Sequence, residues 1–204
     1  MSFIQETIRA IRMTLVLWII TGILYPFAMV MFGQVVLPYQ ANGSLIKSQG
    51  KLVGSALIGQ AFTSDRYFWS RPSATKYSTA NPNDDKDNIL KTGISGASNL
   101  APSNKQALID QRIKPRLERM RRTDINKIPA DLVYASGSGL DPHISVEAAK
   151  AQAARIGQAR DLFRPKINSL IDKYTEDRFL WTFGEPGVNV LKLNLELDNL
   201  SPGS

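Results

Sequence analysis

No Asp, Glu, Lys or Arg stands between Arg12 and Lys47, and the gap is filled by apolar side chains. Of the 24 residues from Met13 to Val36, 18 are Ala, Val, Ile, Leu, Met, Phe, Trp or Tyr. A helix rising ~1.5 Å per residue needs about 20 residues to cross the ~30 Å hydrocarbon layer, so the pattern predicts a single transmembrane helix over 13–36. Ten of the twenty residues from Met13 to Phe32 are Leu, Ile, Val or Phe. Each favours insertion by roughly 0.3–0.6 kcal/mol, and no central charge opposes them. The run exceeds the ~7–15-residue core of a cleavable signal peptide, and its exit, Leu37-Pro38-Tyr39-Gln40-Ala41, lacks a small-x-small site. A retained anchor is expected. Arg9 and Arg12 precede the span and no cation lies within ten residues after it, which places residues 1–12 in the cytoplasm and 37–204 outside the membrane. Pro26 lacks the amide that would meet the carbonyl of Gly22, which predicts a kink with a notch at Gly22. Beside Trp18 and Tyr25, that notch either adjusts tilt in lipid or receives a partner helix.

Beyond the span the periodicity predicts a mixed α/β domain. Strands are expected near residues 52–60, 130–135 and 188–197. The last of these alternates Leu191, Leu193, Leu195 and Leu197 after one slip of phase from Val188 and Val190, as a bulge would cause. Ser103 reads as the cap of a helix whose apolar stripe is Ile109, Ile113, Leu117 and Met120, bent at Pro115. Arg112, Lys114, Arg116, Arg119, Arg121 and Arg122 then form either a solvated face or a surface for anionic headgroups or an acidic partner. Two more helices follow, Val146–Asp161 capped by Ser145 and Pro165–Thr175. Between Pro72 and Asn104, 18 of 33 residues are Gly, Pro, Ser, Asn or Asp, which predicts a long loop region with a mobile insert over 81–91. Tyr67-Phe68-Trp69 beside Arg71 reads either as a loop pinned into the core or as an interface hot spot.

The composition narrows the chemistry. The chain has 204 residues, no cysteine, a single histidine and a net charge of +7. Disulfide scaffolds, zinc fingers, thiol nucleophiles and two-histidine metal sites are excluded, and no metal site of any kind is expected. Gly54 and Gly59 imitate a phosphate loop, but Gln60 and Ala61 stand where Lys and Ser or Thr would bind phosphate and magnesium. The most suggestive segment is Ser136-Gly137-Ser138-Gly139-Leu140-Asp141-Pro142-His143. A glycine turn ahead of a helix N-terminus can offer N–H groups to an anion, and Ser138, Asp141 and His143 form a conceivable hydrolytic set. The Gly-x-Ser-x-Gly elbow is absent, because residue 136 is serine. From the residues alone three readings stay open: a non-catalytic membrane subunit, an anchored extracytoplasmic hydrolase, and a secreted binding protein cleaved near Ala41.

Several motifs together resemble the KdpC family, the C subunit of the bacterial Kdp potassium-transporting P-type ATPase. They are Thr21-Gly22 with Tyr25-Pro26, Tyr39-Gln-Ala-Asn-Gly-Ser44, Gly54-Ser-Ala-Leu-Ile-Gly-Gln60, Tyr67-Phe68 with Arg71-Pro-Ser-Ala74, Ser98-Asn99-Leu100 with Ser103-Asn104, Ala135 to Ser145, and Val188-Asn-Val190 through Leu193-Asn194. The resemblance implies an accessory subunit, single-pass in the bacterial plasma membrane, with no catalytic site or cofactor of its own. Its implied partners are a channel-like potassium-binding subunit, an ATP-hydrolysing P-type subunit and the lipid bilayer; nucleic acid is not among them. It further implies a catalytic chaperone that raises the ATP affinity of the hydrolytic subunit, with the segment Ser136, Gly137, Ser138, Gly139, Asp141 and His143 associated with nucleotide. A domain outside the membrane does not meet cytoplasmic ATP, so the orientation argument makes that role indirect. Tyr67, Phe68, Arg71, Asn99 and Asn104 are the interface candidates carried by these motifs. The chain departs from the family pattern in an insertion over Asn83–Thr92 and in Ala97, where glycine is common.

Overall fold

The structure is a computed structural model that describes residues 2–78, 94–123, 125 and 127–200. It divides into two compact units, Met1–Leu45 and Ile46–Ser204.

The first unit is built on one continuous helical rod. Helix α1 (Phe3–Ile19) passes through a π-helical turn at Ile20–Leu24 into α2 (Tyr25–Val36). The rod therefore starts about ten residues before the predicted span. Ser2 caps it, its side chain accepting from the Gln5 amide, and Glu6 in the first turn pairs with Arg9 at 2.8 Å. The wide π turn lies immediately ahead of Pro26. Widening the ladder there moves the proline ring away from the carbonyl it would otherwise strike, so the expected kink is realised as a π bulge. After Leu37 a single helical turn, α3 (Pro38–Ala41), folds back along the rod: the Asn42 amide and the Gln34 carbonyl oxygen meet at 3.0 Å.

The second unit opens with a hairpin of β1 (Leu45–Ser48) and β2 (Lys51–Ser55). Among the described residues, turns and coil with a 3-10 turn at Lys76–Ser78 precede a π-helical segment (Gln106–Ile113) that continues as α4 (Lys114–Arg121). A three-stranded antiparallel sheet in the order β3 (His143–Ser145), β5 (Gly187–Asn189), β4 (Thr175–Glu176) pairs Ile144 with Val188 and Val188 with Thr175. Against it stand α5 (Val146–Arg160), α6 (Arg164–Lys173) and α7 (Val190–Asn199). Their apolar faces form the core, with Ala149, Ala153, Ile156, Ile167, Ile171, Leu193 and Leu197 all fully buried.

Several expectations are corrected. The predicted strand over 188–197 is a strand only to Asn189; from Val190 it is helix α7. Leu, Lys and Glu are helix formers rather than β-branched strand formers, and the Asn189 side chain caps the helix by accepting from the Lys192 amide. The slip of phase marks a helix start, not a bulge. At 130–135 a 3-10 turn (Ala130–Leu132) replaces the strand. At 52–60 only the first residues are extended, and Leu57 and Ile58 are exposed. Asn104, not Ser103, accepts from the Ala107 amide at the start of the 106–121 helical segment. That segment is π-helical up to Ile113, again just before a proline, Pro115. The Ser145 cap and the two helices after it are as predicted, α5 burying Ala149, Ala153 and Ile156 and α6 burying Ile167, Leu170 and Ile171. The 81–91 insert and the 83–92 insertion lie outside the described residues.

Turns and coil from Ala56 to Arg71 cross the domain without strand partners, so their backbone polar groups need others. Buried amide side chains supply them. Asn194 accepts from the Phe68 N–H at 2.8 Å and donates to the Phe68 carbonyl at 3.0 Å. Gln152 treats Trp69 in the same two-sided way, at 2.8 and 3.3 Å, and Asn189 donates to the Ala56 carbonyl at 2.8 Å. The buried Arg155 guanidinium donates to the Asp65 and Tyr67 carbonyls and stacks over the Trp69 ring at 3.8 Å. Burial pushes its pKa down to about 10, Asp65 opposing and Arg119 reinforcing the shift, so it stays charged at neutral pH. Arg160 reaches the Arg66 and Leu197 carbonyls and the Asp198 carboxylate.

Candidate functional site

Among the described residues one helix, Phe3–Val36, is long and apolar enough to cross a membrane, with a mean hydropathy of 2.2 over its most apolar window. Its side chains are exposed throughout the unit. Thr21 donates to the Leu17 carbonyl at 2.8 Å and so keeps its hydroxyl satisfied within the helix. A Cβ on Gly22 would meet only the Trp18 ring, at 3.7 Å, which is ordinary contact. Trp18, Gly22, Tyr25 and Pro26 therefore share the stretch around the π turn, with the Trp18 ring bordering the Gly22 notch.

The glycine turn is the junction of the second unit's coil segments. The Ser138 carbonyl accepts from the Gly96 amide at 2.8 Å and the Ser95 hydroxyl at 3.0 Å. The Gly139 carbonyl accepts from the Ser73 hydroxyl at 2.6 Å and the Thr75 hydroxyl at 3.3 Å. The Leu140 carbonyl accepts from the Gly59 amide, and the Ser136 amide donates to the Pro72 carbonyl. Both described flanks of the 72–104 loop are thus tied to one turn. Tyr77 is part of the tie: it donates to the Arg71 carbonyl, and burial pushes its pKa up to about 12.

Several amides that an anion would need are used inside the turn. The Gly139 amide donates to Ser136 Oγ, Leu140 to Ser138 Oγ and His143 to Asp141 Oδ1. At the head of α5, Ser145 Oγ takes the Ala148 amide. The three residues of the conceivable hydrolytic set point to separate partners. Ser138 Oγ accepts from its neighbour's amide, Asp141 Oδ2 pairs with Arg71 at 3.2 Å, and His143 Nε2 faces Glu176 Oε2 at 3.1 Å. Such a set requires a nucleophile–base contact; here the histidine on β3 is held by a carboxylate on β4, across the intervening β5. Asp141 and His143 do line an open hollow of ≈ 450 Å³ together with Arg71, Asp131, Glu147 and Glu185. Among the described residues no group of His, Asp and Glu is placed to hold a metal ion.

Position 139 gives a direct test of the junction. Gly139 has φ +68, and a Cβ there would strike Thr75 Oγ1 and come within 2.6 Å of the Gly96 carbonyl oxygen. Gly139→Ala is expected to destabilise the fold by about 2–4 kcal/mol, the sum of left-handed backbone strain and overpacking, read as a lowered urea midpoint.

Glu176, which no motif singles out, holds the His143 ring at 3.1 Å. Burial alone pushes its pKa up, but Lys192 at 2.7 Å and His143 outweigh that and hold it below the ordinary carboxylate value. Its folded pKa lies below its unfolded one, so it contributes stability above the unfolded value of about 4.3, and that contribution is lost as pH falls through the folded value. Glu176→Gln is expected to lower the unfolding midpoint at pH 7 and to have progressively less effect below about pH 4.

The interface candidates separate on burial. Phe68 is fully buried and belongs to the core; the core-pinned alternative for the Tyr67–Trp69 loop is the one the structure takes. Tyr67 is half-buried and donates to the Asp198 carboxylate at 3.0 Å. Arg71 is half-exposed in its ion pair, Asn99 is exposed with φ 50, and Asn104 serves as a helix cap. Of the basic helix face, Arg116 donates to the Val133 carbonyl and Arg119 packs over Trp69 at 3.8 Å, so both hold the domain together.

Comparison with known proteins agrees with the motif resemblance. The family model described as "KdpC: K+-transporting ATPase, c chain" matches residues 7–199. The potassium-transporting ATPase KdpC subunit 1 of Nostoc sp. is 58% identical over 204 residues, covering 99% of this chain and 100% of its own. The KdpC subunit of Microcystis aeruginosa is 56% identical over 213 residues, covering 98% and 99%. That of Methylococcus capsulatus is 48% identical over 194 residues, covering 94% and 96%. With its motifs, its apolar N-terminal helix and nearly its whole length matched, the chain belongs to the KdpC family, the c chain of K+-transporting ATPases.

Proposed function

We propose that this chain is a non-catalytic, single-pass subunit of a potassium-uptake ATPase. Its N-terminus is cytoplasmic and its globular unit extracytoplasmic, and it assembles with a channel-like potassium-binding subunit and an ATP-hydrolysing P-type subunit. The observation that carries this reading is the charge-free apolar rod with Arg9 and Arg12 on one flank only, in a chain matched to the family almost from end to end. The commitment of Ser138, Asp141 and His143 to structural partners supports a subunit without catalysis of its own.

In this reading the chaperone effect on ATP is indirect. A subunit that packs better against the nucleotide-competent arrangement of the complex raises the population of that arrangement. The apparent ATP dissociation constant then falls by the same factor, with no contact between this chain and ATP. The packing site proposed in the membrane is the stretch around Trp18, Gly22, Tyr25 and Pro26. The glycine turn from Ser136 to His143 serves the outer unit as an internal junction.

Affinity purification through a C-terminal tag, from membranes solubilised in mild detergent, tests the reading. Recovery of both other subunits, with a rise in the ATP concentration for half-maximal hydrolysis when this chain is omitted, is the expected result. A chain that purifies without either subunit would overturn it.

A further inference from the structure

The charge-free stretch is longer than a membrane span requires. As helix, the 21 residues from Met13 to Gly33 rise about 31 Å, which already matches the ~30 Å hydrocarbon layer. Thirteen more residues, Gln34 to Ile46, then pass before the first charge, at Lys47. A segment that runs through open water gains nothing by excluding charge, whereas one that lies where hydrocarbon meets headgroups does.

The fold of that segment suits such a boundary. Leu37, at φ −131, ends the rod, and α3 doubles back beside it, so that a Cβ on Gly33 would lie 3.7 Å from the Ala41 Cβ. Its polar groups close on one another. Asn42 Nδ2 donates to Gln34 Oε1 at 3.0 Å and to the Pro38 carbonyl at 2.7 Å, and Gln34 Nε2 faces Asn42 Oδ1 at 3.5 Å. The amides of Leu37, Ala41, Asn42, Gly43 and Ser44 all donate to carbonyls between Gly33 and Gln40. Tyr39 meets both backbone polar groups of Ser44: its carbonyl accepts from the Ser44 amide at 2.9 Å, and its hydroxyl donates to the Ser44 carbonyl at 3.1 Å. Water competes for such bonds at an open surface, but where water is scarce an unpaired amide is costly. Leu37 and Tyr39 keep apolar surface outward, 46% and 49% exposed. A tyrosine at the end of an apolar span is a side chain that membrane interfaces collect.

We propose that Gln34–Ser44 is an interfacial hook that lies in the headgroup layer of the extracytoplasmic leaflet, with phospholipid as its occupant and the Gln34–Asn42 pair as its clasp. The inference rests on the single-pass reading above and adds what fixes the depth of the span. With Arg12 at one boundary and the hook at the other, the hydrocarbon is left to Met13–Gly33, whose middle residue is Ile23. The Gly22 notch and the π turn are thereby held at the bilayer midplane.

The chain has no cysteine, so nitroxides can be placed one at a time on the full-length chain in vesicles of phosphatidylethanolamine and phosphatidylglycerol. Gln40→Cys reports the hook, Ala28→Cys the span and Gln158→Cys the globular unit. Collisions with oxygen and with a water-soluble nickel complex are expected to place residue 28 in hydrocarbon, residue 158 in water and residue 40 at the level of the phosphates. Adding Asn42→Leu is expected to raise the water-exposed population of residue 40 about five-fold, as loss of one net hydrogen bond does. In the assembled transporter, Tyr39→p-benzoylphenylalanine is expected to crosslink to phospholipid. A residue 40 as open to nickel as residue 158, while residue 28 stays protected, would overturn the hook. An unchanged residue 40 in the Asn42→Leu chain would overturn the clasp, and a crosslink to another subunit would overturn lipid as the occupant. If residue 28 is itself open to nickel, the single-pass reading fails instead, so the two failures are told apart.

Discussion

Asn194→Leu is expected to destabilise the globular unit by about 2–6 kcal/mol, enough to unfold it near or below physiological temperature. Leucine has the same branched skeleton, is somewhat larger and suits a helix, so neither a cavity nor propensity explains the loss. The cost comes from the Phe68 N–H and carbonyl, which Asn194 satisfies at 2.8 and 3.0 Å inside the core. Each orphaned buried polar group costs about 1–3 kcal/mol, against a typical total stability of ~5–15 kcal/mol. Release of Phe68 would also loosen Trp69, which Gln152 holds from α5 and over which Arg119 and Arg155 pack. Thermal unfolding of the full chain in detergent checks this. A midpoint within about 2 °C of the parent, the shift expected of a neutral surface change, would contradict it.

Gly22→Leu is expected to reduce recovery of the assembled transporter about ten-fold while leaving the amount of this chain in the membrane unchanged. Leucine raises both helix propensity and apolarity, so insertion is not impaired. Within its own unit the new side chain meets only the Trp18 ring, at ordinary contact distance from Cβ. A deficit in assembly would therefore report a partner helix that uses the notch, since small residues permit close helix approach. Quantified membrane content and co-purified partner subunits supply the two readouts. Equal recovery of parent and variant would leave Gly22 as a lipid-facing adjustment and remove the notch from the assembly surface.

How much could be read beforehand depended on how local each signal was. The apolar rod needs no tertiary partner to declare itself, and the Ser145 cap with the Ala149, Ala153 and Ile156 stripe follows helical spacing alone. The C-terminal leucines were ambiguous because Leu191, Leu193 and Leu197 satisfy a period of two and a helical face equally well. Their unbranched neighbours and the Asn189 cap decide for helix. The amide clamps were not legible at all. Nothing local to Asn194 announces that it serves a backbone 126 positions away. The same is true of Glu176, drawn to His143 by the pairing of β3 and β4 to either side of β5. The Ser136–His143 segment was recognisable as special from its glycines, but its role depends on which coils converge there. The hydroxyls and amides that looked free for chemistry are used to hold those coils.

Topology decides whether the globular unit can meet ATP. A membrane-impermeant amine reagent applied to sealed cells is expected to label lysines of the globular unit, such as Lys114, Lys150 and Lys166, before lysis. Labelling of those lysines only after lysis would contradict it, and would return the globular unit to the compartment that holds ATP.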